Sequence, residues 1–154
     1  MNWRQVSTLP SNEFHIAPRA AHASRTDLKK KRILVVDDEQ AVTDALVRFL
    51  EIGGLYEVIA INDATKAVEV ARAFNPDLIV LDIIMPTLDG GKVLAELRGD
   101  REFSDLRTVF LTGLVSEEEI GSEGYAISGH TVFPKLVGAG TFWAVVAAQL
   151  GIRC

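Results

Sequence analysis

Residues 33–38 read Ile-Leu-Val-Val-Asp-Asp, and this stretch decides the fold of the 154-residue chain. Residues 78–82, Leu-Ile-Val-Leu-Asp, repeat its form. Unbroken apolar runs of this length are typical of strands that are buried on both faces of a parallel sheet. In such sheets, ligands bind just beyond the carboxyl ends of the strands. If the two strands are neighbours, Asp37, Asp38 and Asp82 therefore lie together at one edge of the sheet.

The sequence from Arg32 onward alternates between strand and helix patterns. Strands are predicted at residues 33–37, 57–61, 77–82, 108–111 and 131–133, and helices at 39–52, after Asp63, at 91–98, from Ser116, and at 138–150. This alternation predicts right-handed βαβ units and therefore an α/β protein, a doubly wound sheet of five parallel strands with helices on both faces. Asp89-Gly90 is predicted to form a turn in which the glycine is left-handed.

Charge is distributed unevenly along the chain. Residues 1–32 contain seven Lys or Arg and two acidic residues, whereas the remaining 122 residues contain nine basic and nineteen acidic ones. The acidic part argues against direct nucleic-acid binding by that part. We expect residues 1–31 to form a basic, flexible arm, or alternatively a segment that touches an acidic partner or a polyanion, and residues 32–152 to form one domain.

Cysteine content and hydropathy bear on the compartment. The single cysteine, Cys154, allows no disulfide within one chain, which is typical of a reducing environment. No apolar run reaches the roughly 18 residues of a membrane span, and no apolar stretch typical of a secretion signal lies near the N-terminus. We therefore expect a cytoplasmic protein.

Two further side chains are expected at the edge of the sheet that carries the aspartates. Thr112 follows the fourth predicted strand, and Lys135 follows the fifth. The edge then carries three carboxylates, a hydroxyl and an ammonium group, which together suit phosphoryl transfer to a carboxylate. Carboxylates that lie so close repel one another, and a divalent cation with oxygen ligands, Mg²⁺ or Mn²⁺, relieves that repulsion.

These motifs, in this order and spacing, closely resemble the receiver domains of two-component response regulators. The matching segments are Val-Val-Asp-Asp-Glu at 35–39, Asp-Ile-Ile-Met-Pro-Thr-Leu-Asp-Gly at 82–90, Leu-Thr-Gly at 111–113 and Phe-Pro-Lys at 133–135. The resemblance covers about residues 32–150 and implies the flavodoxin-like (βα)5 receiver fold. It also implies a phosphorylation-dependent switch of two-component signalling or a phosphorelay, with a histidine kinase or a histidine phosphotransfer protein as donor and an effector protein downstream.

The resemblance implies a role for each matching acidic residue. Asp82 corresponds to the phosphoacceptor and to a metal ligand. Asp38 corresponds to a direct Mg²⁺ ligand, and Asp37 to one that acts largely through water. The backbone carbonyl of Ile84 corresponds to a further metal ligand.

The resemblance also assigns the phosphoryl-binding groups, next to which the chain departs from the family pattern. Thr112 and Lys135 correspond to the residues that bind phosphoryl oxygens, so that the hydrogen bond of Thr112 would report the phosphorylated state. Leu136 stands where proline usually follows the lysine, and a trans bond is expected there because a cis bond to a non-proline residue costs roughly 3–4 kcal/mol. Val132 stands where an aromatic residue is frequent, so that signalling is expected to pass through the loop at 112–116 and the fourth helix.

Two positions in the family flank the path of the hydrolytic water, and in this chain they are Ile84 and Leu114. Neither side chain can orient a water molecule, and both exclude it. This predicts slow self-dephosphorylation.

The last predicted helix is uncharged, because no charged residue lies between Lys135 and Arg153. Phe142, Trp143 and Val146 are therefore expected to form a partner face, for an effector or for a homodimer built from the fourth helix, fifth strand and fifth helix. The alternative is a helix that simply packs against the domain.

The favoured expectation is a stand-alone, single-domain response regulator that turns over no separate substrate and is not an enzyme in that sense. Two other functions stay open. One is a degenerate receiver that binds a partner independently of phosphorylation, which the changes at residues 132 and 136 allow. The other is a Mg²⁺-dependent phosphatase with an aspartyl-phosphate intermediate, although such enzymes typically need a second acid where this chain has Ile84.

Overall fold

The computed structural model describes residues 29–114, 125–127, 129–135 and 138–152. The predicted basic arm, apart from residues 29–31, lies outside the described residues, and so does the helix predicted from Ser116. The strands are β1 Lys31–Val36, β2 Tyr56–Ile61, β3 Leu78–Asp82, β4 Arg107–Thr112, β5 Tyr125–Ile127 and β6 His130–Pro134. The helices are α1 Gln40–Glu51, α2 Ala67–Phe74, α3 Gly90–Arg98 and α4 Ala139–Gln149, with short 3₁₀ turns at Ala64–Lys66 and Arg101–Phe103.

The strands form one sheet in the order β2-β1-β3-β4-β6-β5. Strands β2, β1, β3, β4 and β6 run parallel, which confirms the predicted doubly wound α/β fold with five parallel strands. Strand β5, which lies at the edge of the sheet, was not predicted, because a segment of three residues is too short to show a strand pattern. It pairs antiparallel with β6 and occupies the outer edge of that strand. The predicted homodimer face included the fifth predicted strand, which is β6 of the structure. The outer edge of β6 is therefore covered by β5 of the same chain.

Side chains alternate between two apolar layers on the faces of the sheet. Leu34 and Val36 of β1 pack on one face with residues of α2 and α3. Ile33 and Val35 pack on the other face with residues of α1 and α4. All four side chains are fully buried, as their unbroken apolar run predicts.

Helix α4 packs against the domain with the side chains that were predicted to face a partner. Phe142 and Val146 are buried in the core with 2% and 0% exposure, so their assignment to a partner face is wrong. Trp143 is half-buried, and its ring packs against that of Tyr56 with centroids 6.0 Å apart. The large apolar side chains of this uncharged helix face the sheet because they bury more area there than its small side chains would. Its solvent side carries small residues, among them Ala144 and Ala148.

Candidate functional site

Strands β1 and β3 place the three predicted aspartates together. The two strands are neighbours, and Val36 lies opposite Leu81. The next residue after each of them, Asp37 and Asp82, therefore lies at the same edge of the sheet. Oxygen atoms of Asp37, Asp38 and Asp82 all lie within 4.8 Å of one another. Asp37 and Asp82 are buried, whereas Asp38 is exposed and faces solvent.

The backbone around Asp37 is fixed by residues that the sequence did not single out. The amide of Asp37 donates to the carbonyl of Ile61 at 3.2 Å. The Asn62 side-chain amide donates to the carbonyl oxygen of Asp37 at 2.8 Å and to the hydroxyl of Thr43 at 3.0 Å. Asn62 directly follows β2, which neighbours β1. A polar residue at the end of this strand was the feature of the sequence that could have predicted a contact with Asp37.

Lys135 reaches into the acidic cluster from the end of β6. Its backbone amide donates to the carbonyl of Thr112 at 2.8 Å, which ties the ends of β6 and β4 together. Its side-chain nitrogen donates to Oδ2 of Asp82 at 3.0 Å, to Oδ1 of Asp37 at 3.1 Å and to Oε1 of Glu39 at 2.7 Å. The Lys135 side chain is only 10% exposed, so its charge is held at the cluster.

Burial and charge shift the proton affinities of both partners in this contact. Burial raises the pKa of Asp82 to about 6; the hydrogen bond from Lys135 opposes the rise, and the negative charge of Asp37 adds to it. Burial by itself lowers the pKa of the Lys135 amine. Its hydrogen bonds to Glu39, Asp37 and Asp82 outweigh burial and hold that pKa above its ordinary value. The amine is therefore a permanent cation at neutral pH.

Thr112 lies at the same edge but is engaged with its own loop. It is buried, and its hydroxyl oxygen accepts a hydrogen bond from the amide of Leu114 at 3.1 Å. Ile84 and Leu114 are exposed by 54% and 74%. The amide of Ile84 donates to Oδ1 of Asp82 at 3.3 Å, while the ligand role expected of its carbonyl stays a prediction. The bond between Lys135 and Leu136 lies outside the described residues.

Gly90 was predicted to be a left-handed turn residue, and that prediction is wrong. It is the first residue of α3 and is not among the described residues with positive φ. Asp89 caps the helix by accepting a hydrogen bond from the amide of Lys92 at 2.9 Å. Glycine is needed because a Cβ would collide with the carbonyl oxygen of Asp82. The close approach lets α3 begin directly against the end of β3.

The acidic cluster fits a divalent cation bound by oxygen. Oδ2 of Asp37 is buried and lies 2.9 Å from the nitrogen of Lys135, which supplies one positive charge. The cluster of Asp37, Asp38 and Asp82 carries more negative charge than one ammonium neutralises, and a divalent cation would balance it. The exposed carboxylate of Asp38 leaves one side open to water, and Mg²⁺ in proteins keeps several of its water ligands.

The described residues thus form a doubly wound α/β domain whose carboxyl edge brings three carboxylates and one ammonium group together. The model of the response regulator receiver domain family matches residues 33–146, and the chain belongs to that family. It is accordingly a response regulator receiver domain of two-component signalling.

Curated relatives and solved structures agree with this assignment. The chain is 40% identical over 105 residues to "Probable transcriptional regulator ycf27" of Pyropia yezoensis, which covers 64% of this chain and 42% of that protein. It is 42% identical over 88 residues to "Response regulator MprA" of Mycobacterium tuberculosis, which covers 57% of this chain and 37% of that protein. The chain thus spans about two fifths of the length of these curated relatives.

Among solved structures, the chemotaxis protein CheY4 of Vibrio cholerae superposes with a TM-score of 0.67 at 23% identity, covering 79% of this chain and 99% of that one. The N-terminal domain of a response regulator receiver protein from Methanoculleus marisnigri superposes with a TM-score of 0.56 at 30% identity, covering 79% and 98%. The first likeness is one of fold alone. No helix within the described ranges is long and apolar enough to cross a membrane.

Proposed function

We propose that Asp82 accepts a phosphoryl group from the phosphohistidine of a histidine kinase or a phosphotransfer protein. Asp37, Asp38 and Asp82 would hold Mg²⁺ or Mn²⁺, with the carbonyl of Ile84 as a further ligand. The observation that carries this proposal is the meeting of three carboxylates with the amine of Lys135 at one edge of the sheet.

The chemistry follows from the groups at this edge. A carboxylate oxygen of Asp82 attacks the phosphorus atom, the bond between phosphorus and the histidine nitrogen breaks, and the electron pair stays with the imidazole, which leaves as a neutral ring once protonated. A divalent cation held by Asp37, Asp38 and Asp82 would supply charge stabilisation for the phosphoryl oxygens. Lys135, which already donates to Asp82, is in place to donate to an oxygen of the transferred group.

Thr112 and Lys135 together form the proposed switch. The hydroxyl of Thr112 is held by the amide of Leu114, and its carbonyl is bonded to the amide of Lys135. A phosphoryl oxygen would compete for the hydroxyl and so move the loop that begins at Thr112. An effector that binds the two loop positions with different affinities would read that change.

Two alternative functions predict different behaviour. A phosphatase of the aspartyl-phosphate type needs an acid two residues after its nucleophile, and the exposed Ile84 offers none. We accordingly propose that the chain turns over no separate substrate. A degenerate receiver would bind its partner without phosphorylation, and the cluster of Asp37, Asp38 and Asp82, which could hold a cation, argues against it.

The direct test is the intact mass of the chain after incubation with Mg²⁺ and acetyl phosphate. We expect a gain of one phosphoryl group in the wild type, no gain in Asp82→Ala, and an unchanged gain in Asp44→Ala, since Asp44 is an exposed acid elsewhere on α1. Absence of the gain in the wild type, with acetyl phosphate or with a phosphorylated kinase, would support the degenerate module. Repeated release of phosphate from a small ester would instead support the phosphatase.

A further inference from the structure

Glu39 occupies the N-cap position of α1 but does not cap the helix. Ser, Thr, Asp and Asn are the residues preferred at this position, because their short side chains accept hydrogen bonds from the first free amides. The carboxylate of Glu39 makes no such bond and contacts Lys135 instead, at 2.7 Å. The position therefore carries a side chain that suits the lysine rather than the helix.

The three acceptors of Lys135 are not equivalent. Asp37 and Asp82 are buried and belong to the carboxylate cluster that fits a cation, whereas the side chain of Glu39 is 60% exposed to solvent. An ammonium group has three donors, and each has an acceptor here. A cation that binds the buried carboxylates would occupy Asp37 and Asp82, and Glu39 would remain as an acceptor for the ammonium.

Resting on the function proposed above, we propose that Glu39 is a positioning residue for Lys135. It retains the ammonium at the mouth of the site while Asp37 and Asp82 turn their oxygens to a divalent cation. Without Glu39, the partners that the described part of the chain leaves to the amine are the two carboxylates that the cation requires, and the amine competes with the cation for them. Glu39 thus favours cation binding partly through Lys135 and partly through its own negative charge.

A double-mutant cycle separates these two contributions. The dissociation constant of Mg²⁺ is measured by titration calorimetry, without any phosphoryl donor, for the wild type, Glu39→Gln, Lys135→Met and the double variant. With the lysine present, Glu39→Gln should weaken Mg²⁺ binding by about tenfold, since both contributions are lost. In the Lys135→Met background the same change should cost no more than about threefold, because only the charge is lost.

Two further variants support the comparison. Glu39→Asp keeps the charge but shortens the side chain by one methylene, so it should lose more affinity with Lys135 present than in its absence. Glu51→Gln alters an exposed acid at the far end of α1 and should leave Mg²⁺ affinity unchanged. Because Glu39 makes no cap bond, Glu39→Gln should still fold, and Glu39→Asp, whose short side chain can cap α1, should be no less stable to urea than the wild type.

The outcomes are distinct. Equal factors for Glu39→Gln in both backgrounds would overturn the positioning role while leaving phosphorylation of Asp82 untouched. A wild type that binds no Mg²⁺ would overturn the proposed function and this role together.

Discussion

Replacing Gly90 with alanine is expected to damage both the stability of the domain and its acidic site. Gly90 begins α3, and its amide donates to the carbonyl of Ile83 at 2.9 Å. An added Cβ would lie far inside contact distance of the carbonyl oxygen of Asp82, and 3.2 Å from both the carbonyl carbon of Asp82 and the Cα of Ile83. All three neighbours are backbone atoms, so that no rotation of a side chain relieves the overlap.

The magnitude follows from the distance by which the backbone must yield. Ordinary contacts of a carbon atom are about 3.5 Å long, so the start of α3 and the end of β3 must separate by about 1 Å. Overpacking of this kind costs about 1–3 kcal/mol. Alanine recovers at most about 1 kcal/mol of helix propensity, and less at the first helical position. We therefore expect a net loss of about 1–2 kcal/mol and, since Asp82 moves, weaker Mg²⁺ binding.

Urea unfolding followed by circular dichroism gives the stability, and titration calorimetry gives the Mg²⁺ affinity. Gly140→Ala is the matched control, because its added Cβ meets nothing within 4 Å on the exposed side of α4. This control should be as stable as the wild type or up to about 1 kcal/mol more stable. If Gly90→Ala unfolds at the same urea concentration as Gly140→Ala and binds Mg²⁺ as tightly as the wild type, the close approach of α3 to β3 is not the reason for glycine at this position.

Two other predictions use the same measurements of stability and phosphorylation. Phe142→Ala should lose about 3–5 kcal/mol of unfolding free energy, because the ring is buried in the core. The control Ala148→Ser changes an exposed residue and should alter the unfolding free energy by no more than about 0.5 kcal/mol. An unchanged urea midpoint for Phe142→Ala would restore the partner-face interpretation. Ile84→Asn and Leu114→Glu should each shorten the half-life of the phosphorylated chain about tenfold, since one hydrogen bond to the attacking water lowers the barrier by about 1.4 kcal/mol. Ile52→Asn, which changes an exposed residue at the end of α1, is the control, and half-lives equal to the parent's would refute the assignment of water exclusion to Ile84 and Leu114.

The sequence by itself determined the parallel sheet and the position of its acidic edge. The apolar runs at 33–36 and 78–81 contain no polar residue that could face water, so both faces of their strands had to be covered. An aspartate directly after each run could then lie only at the carboxyl edge. These inferences needed no knowledge of packing, because they depend on residues that are adjacent in the chain.

The tertiary structure decided which distant groups meet and which way the uncharged helix faces. The contact between Glu39 and Lys135 joins residues 96 positions apart, and the collision that requires Gly90 depends on how closely α3 approaches β3. The direction of Phe142 also had to come from the structure, because a helix without a charged face gives no pattern that orients it. Local patterns determine which surfaces must be buried, whereas the partners of each surface are set by the packing of the whole domain.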